Sequence, residues 1–420
     1  MTALVSIINK RAAVIAADSA VTIDRGDNTT IFNTANKIFR LSNNNPVGVM
    51  IYGSSAYMGI PWEVLFKLYR DKSPDKPFKT LKEYVDDFIL FLRKEKHCAD
   101  PDTQLGYFTS ELSDFYYRAQ AKVFEQEEEK KNHGEAEATI RERLLRNYLH
   151  ISNRVRKEAG VCQDFERYSL KQFSLYGKER FDQLMELCQE EGMPGSRVQW
   201  EEAFYNYMHS RSFNTDTGIV FVGYGDDDIF PTLIPVCIAG CIDGKMRYYI
   251  DEDRSETISN DNSACVCPFA QSDTMFSLMK GIHPQMFDTV LEKHEATIEA
   301  VQKEMLEAMK NAGATEEQVK KASEVDLQPF SSTYSEGLSD YIFDTFIKGI
   351  VDAVDSFNIE DMVKMAESLI SITNLQRHFS SSEESVGGPV DVAVITKSEG
   401  FVWVNHKKWF QQEMNPQIGR

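Results

Sequence analysis

The sequence predicts an α+β protein, and three observations support this class. Residues 1–52 contain four short apolar segments of strand length, and turns separate them. Amphipathic stretches with helical periodicity follow, and charged residues dominate the longest of them. Strand-like segments then return after residue 216 and again after residue 386. Strands that occur in groups, with helices between the groups, are typical of α+β folds.

We predict four strands and then two helices in residues 1–97. The strands are residues 3–8, 12–17, 37–41 and 47–52, and the helices are residues 61–69 and 81–94. Proline in the first turn favours the start of the first helix. Because the first two strands have equal length and a tight turn joins them, Asp18 should return beside Thr2.

The rest of the chain alternates between charged helical stretches and parts that contain strands. Residues 98–214 and 286–328 combine 3.6-residue periodicity with many charged side chains, and we predict that both are helical insertions. Residues 215–285 contain strands and one helix. Residues 329–420 contain two amphipathic helices, residues 337–357 and 359–376, and a final hairpin, which follows Gly387-Gly388-Pro389.

Composition limits the function classes. The chain has 420 residues and a formal net charge of −19 at pH 7, which disfavours binding to nucleic acid or to an anionic membrane. No apolar run reaches the roughly 18 residues of a membrane span. Lys10-Arg11 interrupts the opening apolar segment, which also lacks a basic start and is therefore a poor signal peptide. We expect a cytoplasmic protein.

The cysteines do not indicate a disulfide framework or a metal site. Their number, seven, is odd, and they are spread over a long chain, as is typical of reduced thiols. Cys237/Cys241 and Cys265/Cys267 each place two thiols on one strand face, but no histidine pair completes a zinc site. The acidic residues 226–228 could hold a hard cation, although a polar turn between strands explains them equally well.

Several common enzyme classes lack their motifs. The sequence contains no Walker A loop, no G-x-G-x-x-G, no H-E-x-x-H and no G-x-S-x-G. An intrinsic ATPase, a dinucleotide enzyme, a zincin and an α/β-hydrolase are therefore disfavoured. We expect neither a metal nor a cofactor.

The strongest candidate site is the start of the chain. Thr2 follows Met1 directly, and its small side chain permits ordinary methionine excision, which would expose a free α-amine. An α-amine titrates near ~7.7–8.0, so at neutral pH part of the population can accept the proton of the threonine hydroxyl. This arrangement is the N-terminal-threonine form of an activated nucleophile. The alternative is that Thr2 is only a favourable second residue for translation.

Three segments resemble the catalytic half of proteasome β-subunits and of their bacterial relative HslV. They are residues 13–19, residues 36–38 and residues 49–56. In that family the mature threonine is followed by an aspartate after the second strand, a lysine at the third and a glycine after the fourth. Thr2, Asp18, Lys37 and Gly53 occupy these positions in the same order.

The resemblance covers roughly residues 1–97, 217–285 and 337–405, and it implies a fold and a mechanism. The fold is the four-layer αββα sandwich of N-terminal-nucleophile (Ntn) hydrolases, with two antiparallel sheets. In the implied mechanism Thr2 attacks an amide carbonyl, Lys37 favours the alkoxide and Asp18 orients Lys37. The N–H of Gly53 stabilises the oxyanion. A structural ion pair between Asp18 and Lys37, and a turn glycine at position 53, are the alternatives.

The resemblance assigns further residues to support and to specificity. The family has an aspartate and a serine before Gly-Gly, where this chain has Glu383 and Val386, with Ser385 one position out of register. Glu383, Ser385 and the loop residue Ser272 are therefore candidates for supporting Thr2. The residues at the positions that line the family's primary specificity pocket, which would be small to medium and apolar, are Val21, Ile51 and Ser55.

The implied function is a threonine peptidase that acts on a peptide or protein substrate. The same nucleophile would also serve an Ntn amidase for a small amide, because fold does not determine substrate. A third alternative is a catalytically silent scaffold or regulatory subunit. Proteasome relatives stack in rings, so a homo-oligomer and a separate unfoldase or regulatory partner are further expectations. We expect the two insertions to alter assembly or access rather than chemistry.

Overall fold

A computed structural model describes residues 2–24, 29–32, 35–72, 77–130, 137–213, 216–379 and 387–407. The structure is mixed α+β, 55% helical and 20% strand, with antiparallel sheets. This confirms the predicted class at that level. The chain divides into two compact units. We call Met1–Ala35, Ile258–Thr396 and Val402–Arg420 the terminal unit, and Asn36–Thr257 with Lys397–Phe401 the central unit.

The elements are numbered along the chain. The strands are β1 (Ala3–Asn9), β2 (Ala13–Ala17), β3 (Val21–Asp24), β4 (Thr29–Phe32), β5 (Ile38–Arg40), β6 (Val47–Gly53), β7 (Ala56–Tyr57), β8 (Ile60–Pro61), β9 (Thr217–Gly223), β10 (Thr232–Ile242), β11 (Lys245–Ile250), β12 (Glu256–Thr257), β13 (Ala264–Ala270), β14 (Asp391–Thr396) and β15 (Gly400–Asn405). The helices are α1 (Trp62–Lys72), α2 (Leu81–Lys94), α3 (Pro101–Lys130), α4 (Glu137–Glu158), α5 (Leu170–Tyr176), α6 (Lys178–Glu190), α7 (Arg197–His209), α8 (Asp273–Lys280), α9 (Pro284–Asn311), α10 (Glu316–Ser323), α11 (Gln328–Ile342), α12 (Lys348–Ser356) and α13 (Ile359–Phe379).

The terminal unit contains a five-stranded sheet in the order β13-β1-β2-β14-β15. β1 pairs antiparallel with β13 and β2, and β2 pairs antiparallel with β14. Every residue of β1 and β2 is buried, which explains why both strands are continuous apolar runs rather than alternating ones. One face of this sheet packs on the helices α8, α12 and α13, whose contributions include Met275, Val354 and Ile370.

The central unit contains a six-stranded sheet in which β11-β10-β9-β6-β5 follow one another and β12 pairs with β10. The pairs along this path are antiparallel. Aromatic side chains of α1 and α2 cover one face, where Trp62, Phe66 and Phe88 contact one another and Phe88 contacts Phe221 of β9. These helices position the ends of β6 and β9, which matter for the site below.

Residues 98–214 are mainly helical, and they form their own apolar core within the central unit. Helices α3 to α7 bury a cluster of aromatic residues that includes Phe108, Phe115, Trp200 and Phe204. Ile242 at the end of β10 belongs to the same cluster. The insertion therefore packs directly against the β10–β11 hairpin instead of standing apart from the sheet.

Three local predictions differ from the structure. The short hairpin of β3 and β4, with Val21 opposite Phe32, was not predicted. The helix predicted to start at Gly337 begins at Gln328, because proline in the first turn of α11 is compatible with a helix start. The predicted continuous helix 337–357 contains a π-helical turn at Phe343–Ile347 between α11 and α12.

Candidate active site

Thr2 lies at the start of an interior strand. It directly precedes β1, which lies between β13 and β2 in the sheet of the terminal unit. The Thr2 carbonyl accepts a hydrogen bond from the N–H of Gln271 at 2.9 Å, and the next residue, Ala3, pairs with Ala270. The partly buried Thr2 is thus anchored on its C-terminal side. Such anchoring matters because chain ends lose order unless they are tied down.

Asp18 is brought next to this strand start by the β1–β2 hairpin. Its carboxylate, in a residue only 1% exposed, accepts the Ala3 N–H at 2.9 Å through Oδ1. Oδ2 accepts the N–H groups of Ala20 at 3.3 Å and Gly387 at 3.2 Å. The Asp18 N–H in turn donates to the Ala3 carbonyl at 3.1 Å. Hydrogen bonds to a carboxylate are stronger than neutral ones, so Asp18 fixes the residue that follows Thr2.

The loop of Ser272 lies on the other side of Thr2. It follows β13, whose last residue, Ala270, has a φ of 59°, in the left-handed region that non-glycine residues seldom adopt. The Ser272 N–H donates to the Ala270 carbonyl at 2.9 Å, and Phe276 N–H donates to the Ser272 carbonyl at 2.8 Å. Ser272 therefore occupies a tight turn that leads into α8, one residue after Gln271, which binds Thr2.

The Gly-Gly-Pro segment follows the end of β2. Gly387 donates to Asp18 and accepts from the Ser19 N–H at 3.2 Å, while the Ser19 hydroxyl donates to the Pro389 carbonyl at 2.6 Å. The predicted support residues Glu383 and Ser385 lie outside the described residues, as does the side chain of Val21.

Lys37 and Gly53 lie on neighbouring strands of the central unit. Lys37, 3% exposed, precedes β5, and its carbonyl accepts the Ile51 N–H of β6 at 2.9 Å. Gly53 ends β6 with a φ of 81°, and a Cβ built there would lie 2.3 Å from the carbonyl oxygen of Asp216. Both the backbone conformation and this close approach require glycine at position 53.

A cavity of about 440 Å³ with a mixed polar and apolar lining begins at the residue after Gly53. Ser54, Asp216 and Thr217 line it from the strand ends, and helix α3 of the insertion lines it from the other side. Two of the predicted pocket residues do not line this cavity: Ile51 is buried in the core between sheet and helices, and Ser55 is exposed. The contribution of α3 has no local signal in the sequence, because α3 is far along the chain from these strands.

The structure thus brings Thr2 and Asp18 together in the terminal unit, and Lys37 and Gly53 in the central unit. Asp391 is a further buried acid of the terminal unit, and the prediction missed it. It begins β14 opposite Ala17, and it binds His406 and Lys407. The only available signal was an acidic residue inside an apolar run.

Comparison with protein-family models gives no match, and a search of curated proteins finds no relative. Within the described part of the chain, no helix is both long and apolar enough to cross a membrane. The same residues contain no group of three or more His, Cys, Asp or Glu side chains arranged to hold a metal ion. Fold and site together define a mixed α+β protein with antiparallel sheets and an anchored Thr2.

Proposed function

We propose that this chain is a proteasome-like Ntn hydrolase, a threonine peptidase whose nucleophile is the hydroxyl of Thr2 after removal of Met1. The anchoring of Thr2 carries the proposal. Asp18 holds the N–H of the following residue and Gln271 holds the carbonyl of Thr2 itself. A nucleophile that supplies its own base needs little more than a fixed position and a free α-amine.

In the proposed reaction the α-amine of Thr2 takes the proton of its own hydroxyl. Oγ then forms a bond to the amide carbonyl carbon, and the resulting tetrahedral intermediate expels the amine product, which receives that proton. The acyl group remains on Oγ as an ester. Water, deprotonated by the same α-amine, hydrolyses the ester and restores Thr2.

Lys37 and Gly53 carry the two other roles that the resemblance assigns. Burial of Lys37 supports an electrostatic role, because a cation removed from water acts more strongly on a developing alkoxide. The strict requirement for glycine at position 53 is compatible with an oxyanion-binding N–H, which a Cβ would obstruct.

The proposal includes the family's four-layer αββα sandwich. Each unit supplies one antiparallel sheet with helices on one face, namely α8, α12 and α13 in the terminal unit and α1 and α2 in the central unit. This pairing of one sheet with one helical layer, present twice, supports the expectation.

The test uses a panel of fluorogenic peptides and small amides, with intact mass to follow removal of Met1. Thr2→Ala keeps the small residue that permits excision but deletes the nucleophile, so kcat should fall at least about 1,000-fold. Thr2→Ser should keep part of the activity, and Lys37→Met, which removes the charge, should lose it. Thr289→Ala, at an exposed threonine of α9, is the matched control and should leave kcat unchanged.

An electrophile that reacts with N-terminal threonines gives a second readout. Its mass should appear on the N-terminal peptide of the wild type and not on that of Thr2→Ala. Hydrolysis that is confined to small amides would reassign the protein to the amidases. Retention of Met1 on protein from its native host, or full activity in Thr2→Ala, would refute the proposal, and the former would favour the silent subunit.

A further inference from the structure

A second cavity of the central unit lies between α3 and α4 of the first insertion. Its volume of about 390 Å³ falls within the range of small-molecule pockets, which is roughly 300–1,000 Å³. Arg118 and Lys122, one turn apart, line it from one face of α3, and Tyr148 and Arg156 line it from α4. Of the ten described residues that line this cavity, three are basic and none is acidic. The lining is therefore suited to an anion.

Two arginines of this cavity have buried N–H groups without an acceptor. The Nη2 atom of Arg118 and the Nη1 atom of Arg156 are buried, and no described residue accepts a hydrogen bond from either atom. Asp114, one turn before Arg118 on α3, is exposed and does not pair with it. A buried charged donor without an acceptor is costly, and an acceptor that enters the cavity would remove this cost.

Aromatic rings orient the two arginines but do not satisfy their N–H groups. The guanidinium carbon of Arg118 lies 5.7 Å from the ring centroid of Tyr207. That of Arg156 lies 4.9 Å from the same centroid and 5.2 Å from the centroid of Phe115. A ring attracts a cation to its face, whereas guanidinium N–H groups point outward in the plane of the group. The stacking thus leaves the buried N–H groups for another acceptor.

The nearest carboxylates are engaged with other cations. Glu111 pairs with Arg247 at 3.2 Å, and the charge of Arg247 also acts on Asp216. Glu125 pairs with Lys122 at 2.7 Å. Within the described part of the chain, these pairs leave the charges of the two cavity arginines without a counterion.

The pKa of Arg156 reflects the same imbalance. Burial lowers this pKa to about 10. Tyr148 and Tyr207 oppose the shift, while the positive charges of Arg118 and Arg247 add to it. None of these four neighbours is a carboxylate. The cavity is thus an electropositive site in a chain whose net charge is −19.

We propose that this cavity binds a dianionic phosphate group. Two negative charges match the two uncompensated arginines, and a planar guanidinium can donate two parallel N–H bonds to phosphate oxygens. Leu144, Tyr148 and Ile151 line the same cavity and supply surface for an organic substituent. The phosphate belongs either to an ester of a small organic molecule or to the free anion. This proposal does not depend on catalysis by Thr2.

Isothermal titration calorimetry at low ionic strength tests the proposal with four probes. They are inorganic phosphate, phenyl phosphate, its uncharged counterpart phenol, and the carboxylate phenylacetate. At least one phosphate probe should bind, and it should bind about tenfold or more tightly than phenol and phenylacetate. Tighter binding of phenyl phosphate than of inorganic phosphate assigns the cavity to phosphate esters. Inorganic phosphate that binds equally or more tightly assigns it to the free anion.

Substitutions of the two arginines locate the binding. Arg118→Gln and Arg156→Gln each remove one uncompensated charge and should weaken phosphate binding about tenfold or more. Arg156→Lys keeps the charge but loses the planar group, so it should retain only part of the affinity. Arg167→Gln, at an exposed arginine of the same insertion, is the matched control and should bind normally.

Thermal unfolding gives a second readout. A phosphate probe that binds should raise the melting temperature of the wild type and of Arg167→Gln, and raise that of the two cavity variants much less. Far-UV circular dichroism establishes that each variant is folded, and Arg118→Gln and Arg156→Lys decide the test where Arg156→Gln does not fold. The same titrations in Thr2→Ala should give unchanged binding, which keeps this test separate from that of the nucleophile.

Three results would each overturn the proposal. The first is that neither phosphate probe binds at millimolar concentration. The second is that phenol or phenylacetate binds as tightly as the phosphate probes. The third is that the folded cavity variants bind phosphate like the wild type, which would place the binding elsewhere.

Discussion

Two buried aspartates at one end of the terminal unit's sheet differ in their hydrogen-bond partners. Asp18 accepts hydrogen bonds from backbone N–H groups, and it thereby positions the strand that starts at Thr2. Asp391, opposite the residue that precedes Asp18, is 1% exposed and binds the side chains of His406 and Lys407 as well as the backbone N–H of Lys407. At this scale the type of donor decides what an acid contributes: backbone donors fix geometry, while side-chain cations contribute charge.

Asp391 should make stability depend on pH in acid. Burial raises its pKa, but hydrogen bonds from His406 and Lys407 outweigh burial, so its pKa lies below the ordinary value of 3.8. A carboxyl whose pKa is lower in the folded state stabilises the fold above the unfolded pKa, and this contribution is lost as pH falls through the folded pKa. Asp391→Asn should therefore lower the urea midpoint at pH 7 and less so below about pH 3.

Urea titrations of both proteins from pH 7 to about pH 2 measure this difference. Asp253→Asn, at an exposed acid of the central unit, is the control and should match the wild type throughout. If the difference in urea midpoint between wild type and Asp391→Asn stayed constant over the whole pH range, a lowered pKa of Asp391 in the folded state would be contradicted.

At the scale of elements, the side chain of Asn9 joins the β1–β2 hairpin to helix α12, and Arg11 of the same turn also donates to the Phe357 carbonyl. Asn9 is fully buried, and its amide N–H groups donate to the carbonyls of Val354 at 2.9 Å and Phe357 at 3.2 Å. Its oxygen accepts the N–H groups of Arg11 at 2.9 Å and Ala12 at 3.3 Å within the turn. One residue thus closes the turn and satisfies the free carbonyls at the end of a helix.

Replacing Asn9 should therefore affect both elements together. Asn9→Ala leaves buried donors and acceptors without partners, which costs about 2–3 kcal/mol of unfolding free energy. Asn9→Asp keeps the acceptor for the turn but turns a carboxylate toward carbonyl oxygens, so it should be no less destabilising. Urea denaturation measures both, with Asn311→Ala at the exposed end of α9 as the control. If Asn9→Ala left the urea midpoint unchanged, contacts other than those of Asn9 would hold the hairpin against the helix.

At the scale of the whole molecule, a buried ion pair connects the first insertion to the sheet of the central unit. Arg247 on β11 pairs with Glu111 on α3, and Tyr207 of α7 donates to the same carboxylate. The guanidinium also lies over the ring of Tyr207, 4.9 Å from its centroid. Removing either partner would leave the other charge in an apolar interior, where it is very costly.

A double-mutant cycle should show this coupling. Glu111→Gln alone leaves the buried guanidinium uncompensated and should cost about 3–5 kcal/mol, whereas Glu111→Gln with Arg247→Met should recover much of that loss. Asp71→Asn breaks the exposed Lys67–Asp71 pair and should leave the urea midpoint unchanged. Additive effects of the two buried substitutions would mean that the insertion and the sheet are energetically independent.

Elements with a strong local pattern were predictable. Helix α2 has the predicted bounds, Leu81–Lys94, because its apolar positions recur with helical spacing and Thr80 caps its start. The strands β1 and β2 were predictable as uninterrupted apolar runs, and so was the return of Asp18 to the start of β1. The strands β3 and β4 have four residues each, and the alternation in Val21–Asp24 is too short to distinguish a strand from a loop.

The sequence by itself determined the α+β class, the helical nature of the insertions and the candidate nucleophile, since each depends on residues that are adjacent or one turn apart. Only the tertiary structure decided that Gln271 holds Thr2, that Asp391 binds His406 and Lys407, and that α3 completes a pocket with Asp216. These contacts join residues that are far apart in the chain. Their formation depends on how sheets and helices pack, which no local pattern of side chains encodes.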